Sequence, residues 1–276
     1  MFKGVKLEIK TDEIKYRTSN DEISAHLARP AEEDKYPGIV LIHEIFGLDE
    51  HIRNVADRLA AKGYIVLAPH LFSSKQLSPV LTPESIGKAM KFMMSVPVDK
   101  QRDEDYRSTE LGKLNESDRK AIVGVYTTLF VKRPTQTFTN YLSSAVDYLN
   151  SLDNINGKIG SVGFCFGGGM SINLACTSKT DASVIFYGEN PEPVDNVKNV
   201  RGAVMGLYGG EDMMINSKIY ELVKALVAHK KSFTVKVYPG AHHAFFNDTR
   251  QTHYNKEAAD DAWKLVLDFF SKNLKT

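Results

Sequence analysis

The segment Gly163-Phe164-Cys165-Phe166-Gly167 places a thiol between two glycines, after a run that reads as a strand and before a glycine-rich helix start. A strand that turns sharply into a helix exposes its central side chain at the top of a sheet. Glycines two residues before and after are needed because a Cβ there would strike the neighbouring strand and helix. The helix N-terminus directs its amides and positive dipole end at the thiol, which lowers a thiol pKa. The amide of Phe166, one residue on, is placed to donate to an oxyanion. A cysteine in this frame has the chemistry of a nucleophile in acyl transfer; the competing reading is a small apolar residue filling a strand–helix turn.

A thiolate needs a base, and a base needs an orienting acid. Downstream, the strand Val204–Tyr208 ends in Gly209-Gly210-Glu211-Asp212, and an acid just past a strand's carboxyl end stands on the same rim as the thiol. Asp212 is favoured over Glu211 because it terminates the Gly-Gly turn. The next strand, Val235–Tyr238, leads into Pro239-Gly240-Ala241-His242-His243-Ala244-Phe245, so a histidine follows the acid in the order a triad of this kind uses. His242 and His243 point in different directions and only one can serve. After an early strand comes His43-Glu44-Ile45-Phe46-Gly47-Leu48, a loop suited to supply a second oxyanion donor through the amide of Ile45. Glu44 reads either as a loop carboxylate in water or as a group bonded to the thiol or to a substrate.

These residues need a sheet to carry them. Residues 5–10 and 22–28 alternate as two strands of an N-terminal antiparallel ribbon with its turn at Thr18-Ser19-Asn20-Asp21. Short β-branched runs at 39–42 and 64–67 flank a helix carrying Ile52, Val55, Ala56 and Leu59. A helix at 139–151, a strand at 158–163, a helix from 167 and strands at 183–187, 202–208 and 233–238 follow, with helices at 216–230 and 256–271. Apolar strands alternating with helices predict an α/β fold, a mostly parallel sheet flanked by helices on both faces. Residues 1–276 read as one such domain, in which 73–138 is a helical insertion that serves as an elaborated crossover or a lid. Two helices are expected in it, one starting at Thr82-Pro83 and one near 117–131, and its Arg102, Arg107, Arg119 and Arg133 are candidate anchors for a carboxylate.

Composition narrows the partners. With 276 residues, 42% of them hydrophobic, and a formal net charge of +1, the chain can bury a core and has no electrostatic bias toward nucleic acid or an anionic membrane. Neither a leader's apolar core nor a run of ~18 apolar residues is found. The two cysteines, Cys165 and Cys176, fall roughly 16 Å apart if one helix carries both, too far for a disulfide. They read as free thiols in a reducing, cytoplasmic setting. No cofactor and no metal ligand set is expected.

Four segments, His43–Gly47, Gly163–Gly168, Gly209–Asp212 and Tyr238–Phe245, together with Asp57-Arg58-Leu59-Ala60 through Leu67-Ala68-Pro69, resemble the dienelactone hydrolase (carboxymethylenebutenolidase) family of the α/β-hydrolases. The likeness spans about 20–271, apart from much of 73–138. It implies an α/β-hydrolase fold and a triad of Cys165, His243 and Asp212. It also implies an oxyanion hole from the amides of Ile45 and Phe166, and Glu44 as the partner of the thiol in the resting enzyme. Family members that cleave dienelactone hold the substrate carboxylate with an arginine four residues past the histidine; that offset gives Asn247 here, and the nearest arginine is Arg250. His70 stands where the family usually has an acid. The expected function is hydrolysis of small activated esters or lactones through an acyl-thioester. The alternatives are a thioesterase or peptidase on the same scaffold, and a non-catalytic ligand-binding protein.

Overall fold

The computed structural model describes residues 7–100 and 103–275, and these form two compact units: the chain through Leu71 together with that from Phe138 onward, and Phe72–Thr137. The first unit is built on β1 (Ile9–Arg17), β2 (Glu22–Pro30), β3 (Tyr36–Ile42), α1 (Glu50–Ala60) and β4 (Ile65–Pro69). Within the second lie α2 (Pro83–Ser95), α3 (Glu104–Gly112) and α4 (Glu116–Tyr126), the last continuing as a π-helical segment, Thr127–Lys132. The first unit resumes with α5 (Thr135–Asn150), which begins just before the division, β5 (Ile155–Phe164), α6 (Phe166–Ala175), β6 (Ala182–Phe186), β7 (Ala203–Gly209), α7 (Met213–Ala228), β8 (Phe233–Tyr238) and α8 (Lys256–Leu274).

The eight strands form one sheet in the order β1-β2-β4-β3-β5-β6-β7-β8. Pairing is antiparallel between β1 and β2 and between β2 and β4, and parallel across the rest. Alternation along β7 shows how both faces are covered. Met205 and Leu207 join a cluster with Leu59 of α1 and Phe270 of α8, whereas Val204 and Tyr208 join one with Ile172 of α6 and Leu222 of α7. Strands such as Ile39–Ile42 are buried on both faces, which is why they read as unbroken apolar runs.

Two expectations about elements change. The first ribbon strand extends to Arg17, well past residue 10, and residues 5 and 6 fall outside the described ones. Its middle is charged because it is an edge strand in water, held by ion pairs such as Arg29–Asp12 rather than by apolar alternation. The insertion holds a third helix, α3, which buries none of its residues and therefore shows no apolar period. Its start is fixed instead by Asp103, whose side chain accepts from the Tyr106 amide at 2.9 Å. Among the described residues no helix is long and apolar enough to cross a membrane.

Candidate active site

The carboxyl ends of β3, β5, β6, β7 and β8 deliver the chemistry-bearing residues to one rim. Cys165 sits between β5 and α6 with φ 54° and ψ −118°, a left-handed-side conformation that costs a residue with a Cβ. Its amide donates to the Phe186 carbonyl at 3.0 Å, tying the turn to β6. The flanking glycines are required as the spacing predicts. A Cβ on Gly163 would run into the carbonyl of Gly167, and one on Gly167 into the carbonyls of Ile42 and His43.

Asp212 is the buried N-cap of α7. Its Oδ1 accepts from the Ile215 amide at 3.4 Å while its Oδ2 lies 2.5 Å from Nδ1 of the partly buried His243. Glu211 is exposed, its carboxylate accepting from the Gly240 amide, and His242 is exposed as well. Of the two acids and the two histidines, Asp212 and His243 are the pair within hydrogen-bonding distance of each other. Burial disfavours charge on His243, but hydrogen bonds to Asp212 and to Cys165, with the charges of both, outweigh it and push its pKa up to about 10.

Glu44 is buried on the far side of Cys165, since Ile42 pairs with Gly163. Its Oε2 accepts from Asn247 Nδ2 at 2.6 Å, so in this conformation the carboxyl is held by Asn247, while Cys165 acts electrostatically on His243. Burial raises the Glu44 pKa against the lowering effects of that hydrogen bond and of the positive fields of His51 and Arg250. Asn247 is itself buried, its Oδ1 accepting from Thr249 at 3.1 Å (N) and 2.7 Å (Oγ1). Arg250 lies with its guanidinium 4.1 Å from the Phe46 ring centroid, beside the Glu44–Gly47 turn that Gly47 N closes onto the Glu44 carbonyl. Of the arginines in the insertion, Arg107 is bound to the Tyr126 hydroxyl within the helical unit, and Arg102 lies outside the described residues.

Two residues escaped the sequence reading. His43 is buried and neutral, its pKa pushed down to about 3 chiefly by burial. Nδ1 donates to the Glu44 carbonyl at 2.5 Å and Nε2 accepts from the Leu71 amide at 3.1 Å, which fixes the tautomer and the loop carrying Ile45. Tyr187, at the end of β6, has φ 39° and packs its ring 5.0 Å from that of His243. The sequence signal was available in Phe186-Tyr187-Gly188: a polar aromatic closing a strand on the rim that carries Cys165. Gly188 lies so near that a Cβ there would meet Gly168.

The model of the dienelactone hydrolase family matches residues 23–274. A relative from Saccharolobus solfataricus is 36% identical over 260 residues, covering 94% of this chain and 98% of its own. One from Synechocystis is 28% identical over 98% and 99% of the two chains. Both bear the name "Putative carboxymethylenebutenolidase". Among solved structures, the "Putative Dienelactone Hydrolase" of Klebsiella pneumoniae superposes with a TM-score of 0.74 at 24% identity, covering 96% of this chain and 99% of that one, a likeness of fold.

Proposed function

This chain belongs to the dienelactone hydrolase family, with its α/β-hydrolase fold, and we propose that it hydrolyses small activated esters or lactones through an acyl-thioester on Cys165. The thiolate attacks the carbonyl carbon while the oxyanion accepts from the amides of Ile45 and Phe166. His243 gives its proton to the departing alkoxide or enolate, then takes one from the water that attacks the thioester, and Asp212 holds its tautomer throughout. Thiolates expel good leaving groups such as enolates more readily than alkoxides, hence the preference for activated substrates. When Cys165 turns away from His243, Glu44 becomes its partner in the resting enzyme. With Asn247 committed to Glu44, Arg250 is the group left to meet a substrate carboxylate.

The observation that carries this reading is the line from buried Asp212 through His243 to a cysteine held at positive φ at a helix N-terminus. The test compares p-nitrophenyl acetate hydrolysis by the wild type and Cys165→Ala, with intact mass spectrometry for the acyl adduct. The expected result is loss of turnover and of the adduct in the variant. Equal rates in the two proteins would sink the assignment.

A further inference from the structure

Phe164 pairs with Phe186 in the β5–β6 register, so Cys165 and Tyr187 leave adjacent strands side by side, and both do so at positive φ. Two neighbouring residues with side chains held in that region represent stored strain, and such strain clusters where function demands a fixed geometry. The nucleophile reading accounts for Cys165 alone. Tyr187 is fully buried, with its ring against His243; the Phe246 backbone amide bears on its hydroxyl oxygen, but among the described residues its O–H proton meets no acceptor in hydrogen-bonding geometry. A buried hydroxyl whose proton has no acceptor is unfavourable, and cores that only need an aromatic use phenylalanine, as at Phe164, Phe186 and Phe245 around it.

Resting on the reading of Cys165 as the nucleophile, we propose that Tyr187 is a positioning residue whose hydroxyl donates a hydrogen bond to the Cys165 thiolate. The donor lets the sulfur carry charge and fixes the direction from which it attacks. Glu44 is the competing acceptor, but Cys165 stands between β3 and β6 in the sheet, and Glu44 already takes the Asn247 amide at 2.6 Å. The phenol keeps its own proton: burial, then the negative charges of Glu44 and Cys165, hold its pKa far above the ordinary value. The other ionisable groups around this centre are His51 and Asp49 from the α1 side, Asp212 after β7, and His243, Asp248 and Arg250 after β8.

Tyr187→Phe removes the hydroxyl and keeps the ring. The measurement is the rate of Cys165 alkylation by iodoacetamide against pH, with kcat and KM on p-nitrophenyl acetate and a thermal melt. Burial pushes the other thiol, Cys176, up to about 12, so it does not compete near neutrality, and peptide mass spectrometry locates the label. A hydrogen bond to a charged group is strong enough that its loss should move the acid limb up by about one pH unit. Alkylation at neutral pH and kcat should each fall roughly tenfold, with KM nearly unchanged. An unmoved limb means that only the ring matters, and a limb moved to lower pH means that the hydroxyl serves Glu44; either result overturns the proposal. Cys165→Ala, run alongside, separates the two levels: if it turns over like the wild type the nucleophile reading fails, whereas if it is inactive and the Tyr187→Phe limb is unmoved only the role of Tyr187 falls.

Discussion

Asn247 donates its side-chain amide to the buried carboxyl of Glu44 at 2.6 Å, joining residues 203 positions apart. The resemblance to dienelactone-cleaving members implies an arginine at position 247 to hold the substrate. Here that position grips an internal carboxyl with a neutral donor, and among the described residues no ion pair reaches Glu44.

Asn247→Ala leaves Glu44 buried without its donor. Unmaking a buried hydrogen bond of this sort costs about 1–3 kcal/mol, read by urea denaturation. The Glu44 pKa is already raised by burial, so its folded-state penalty is absent below the ordinary carboxylate pKa and grows as pH rises through the folded value. Losing Asn247 raises that pKa further, and the variant's deficit should be larger at pH 8 than at pH 4. A deficit independent of pH would mean that Asn247 acts only by packing.

In the proposed mechanism His243 carries the proton that releases the leaving group. With its pKa pushed up to about 10, kcat/KM should hold through neutrality and fall as pH rises through that value. Cys165→Ala removes a hydrogen bond and a charge from the ring, so its pKa, followed by NMR titration, should drop. The same raised pKa makes its contribution to stability complete below about 6.5, its ordinary value, and lost as pH climbs through about 10. Titration of the ring at one pKa in both proteins would break the proposed Cys165–His243 link.

Asp212→Asn keeps the shape of the α7 cap but offers the wrong partner to Nδ1 of His243. The expected loss in kcat is about 10²–10⁴-fold with the melting temperature little changed. Wild-type kcat in this variant would leave Asp212 a capping residue and nothing more.

The elbow glycines can be separated from ordinary ones. Gly167→Ala drives a Cβ into the backbone carbonyls of Ile42 and His43, neither of which can swing aside. Overpacking of this kind costs about 1–3 kcal/mol, and activity should go with it because Cys165 shares the turn. Gly87→Ala in α2 is the contrast: a Cβ there meets nothing within 4 Å, and alanine should stabilise the helix by up to about 1 kcal/mol. Chemical denaturation of both variants checks the pair.

His43 links stability to pH in the opposite sense to His243. Its folded pKa lies near 3, below the ordinary 6.5, so its contribution is whole above 6.5 and drains away as pH falls toward 3. His43→Asn should flatten the wild type's stability profile over that window and lower kcat by disturbing the loop that carries Ile45. Parallel profiles in the two proteins would count against a neutral, buried His43.

The sheet, its flanking helices and the positions of the elbow glycines, Asp212 and His243 on one rim were legible in the sequence because each has a local cause. Buried parallel strands must be apolar on both faces, Gly163 and Gly167 mark a turn that admits no Cβ, and Asp212 and His243 follow strand ends on one rim. What was not local could not be read. The long edge strand β1 is charged because it faces water, and α3 buries nothing, so neither shows a period. Glu211 and Asp212, like His242 and His243, are equivalent as letters; only the packing of α7 and the loop after β8 turned one of each pair inward. The side-chain partner of Glu44 lies 203 residues away, and Tyr187 joins the site through a strand register that its own sequence does not state. Composition and spacing determined that a thiol would stand at the top of an α/β sheet. Tertiary structure alone decided which side chains surround it, because burial and strand order, rather than neighbouring residues, set those contacts.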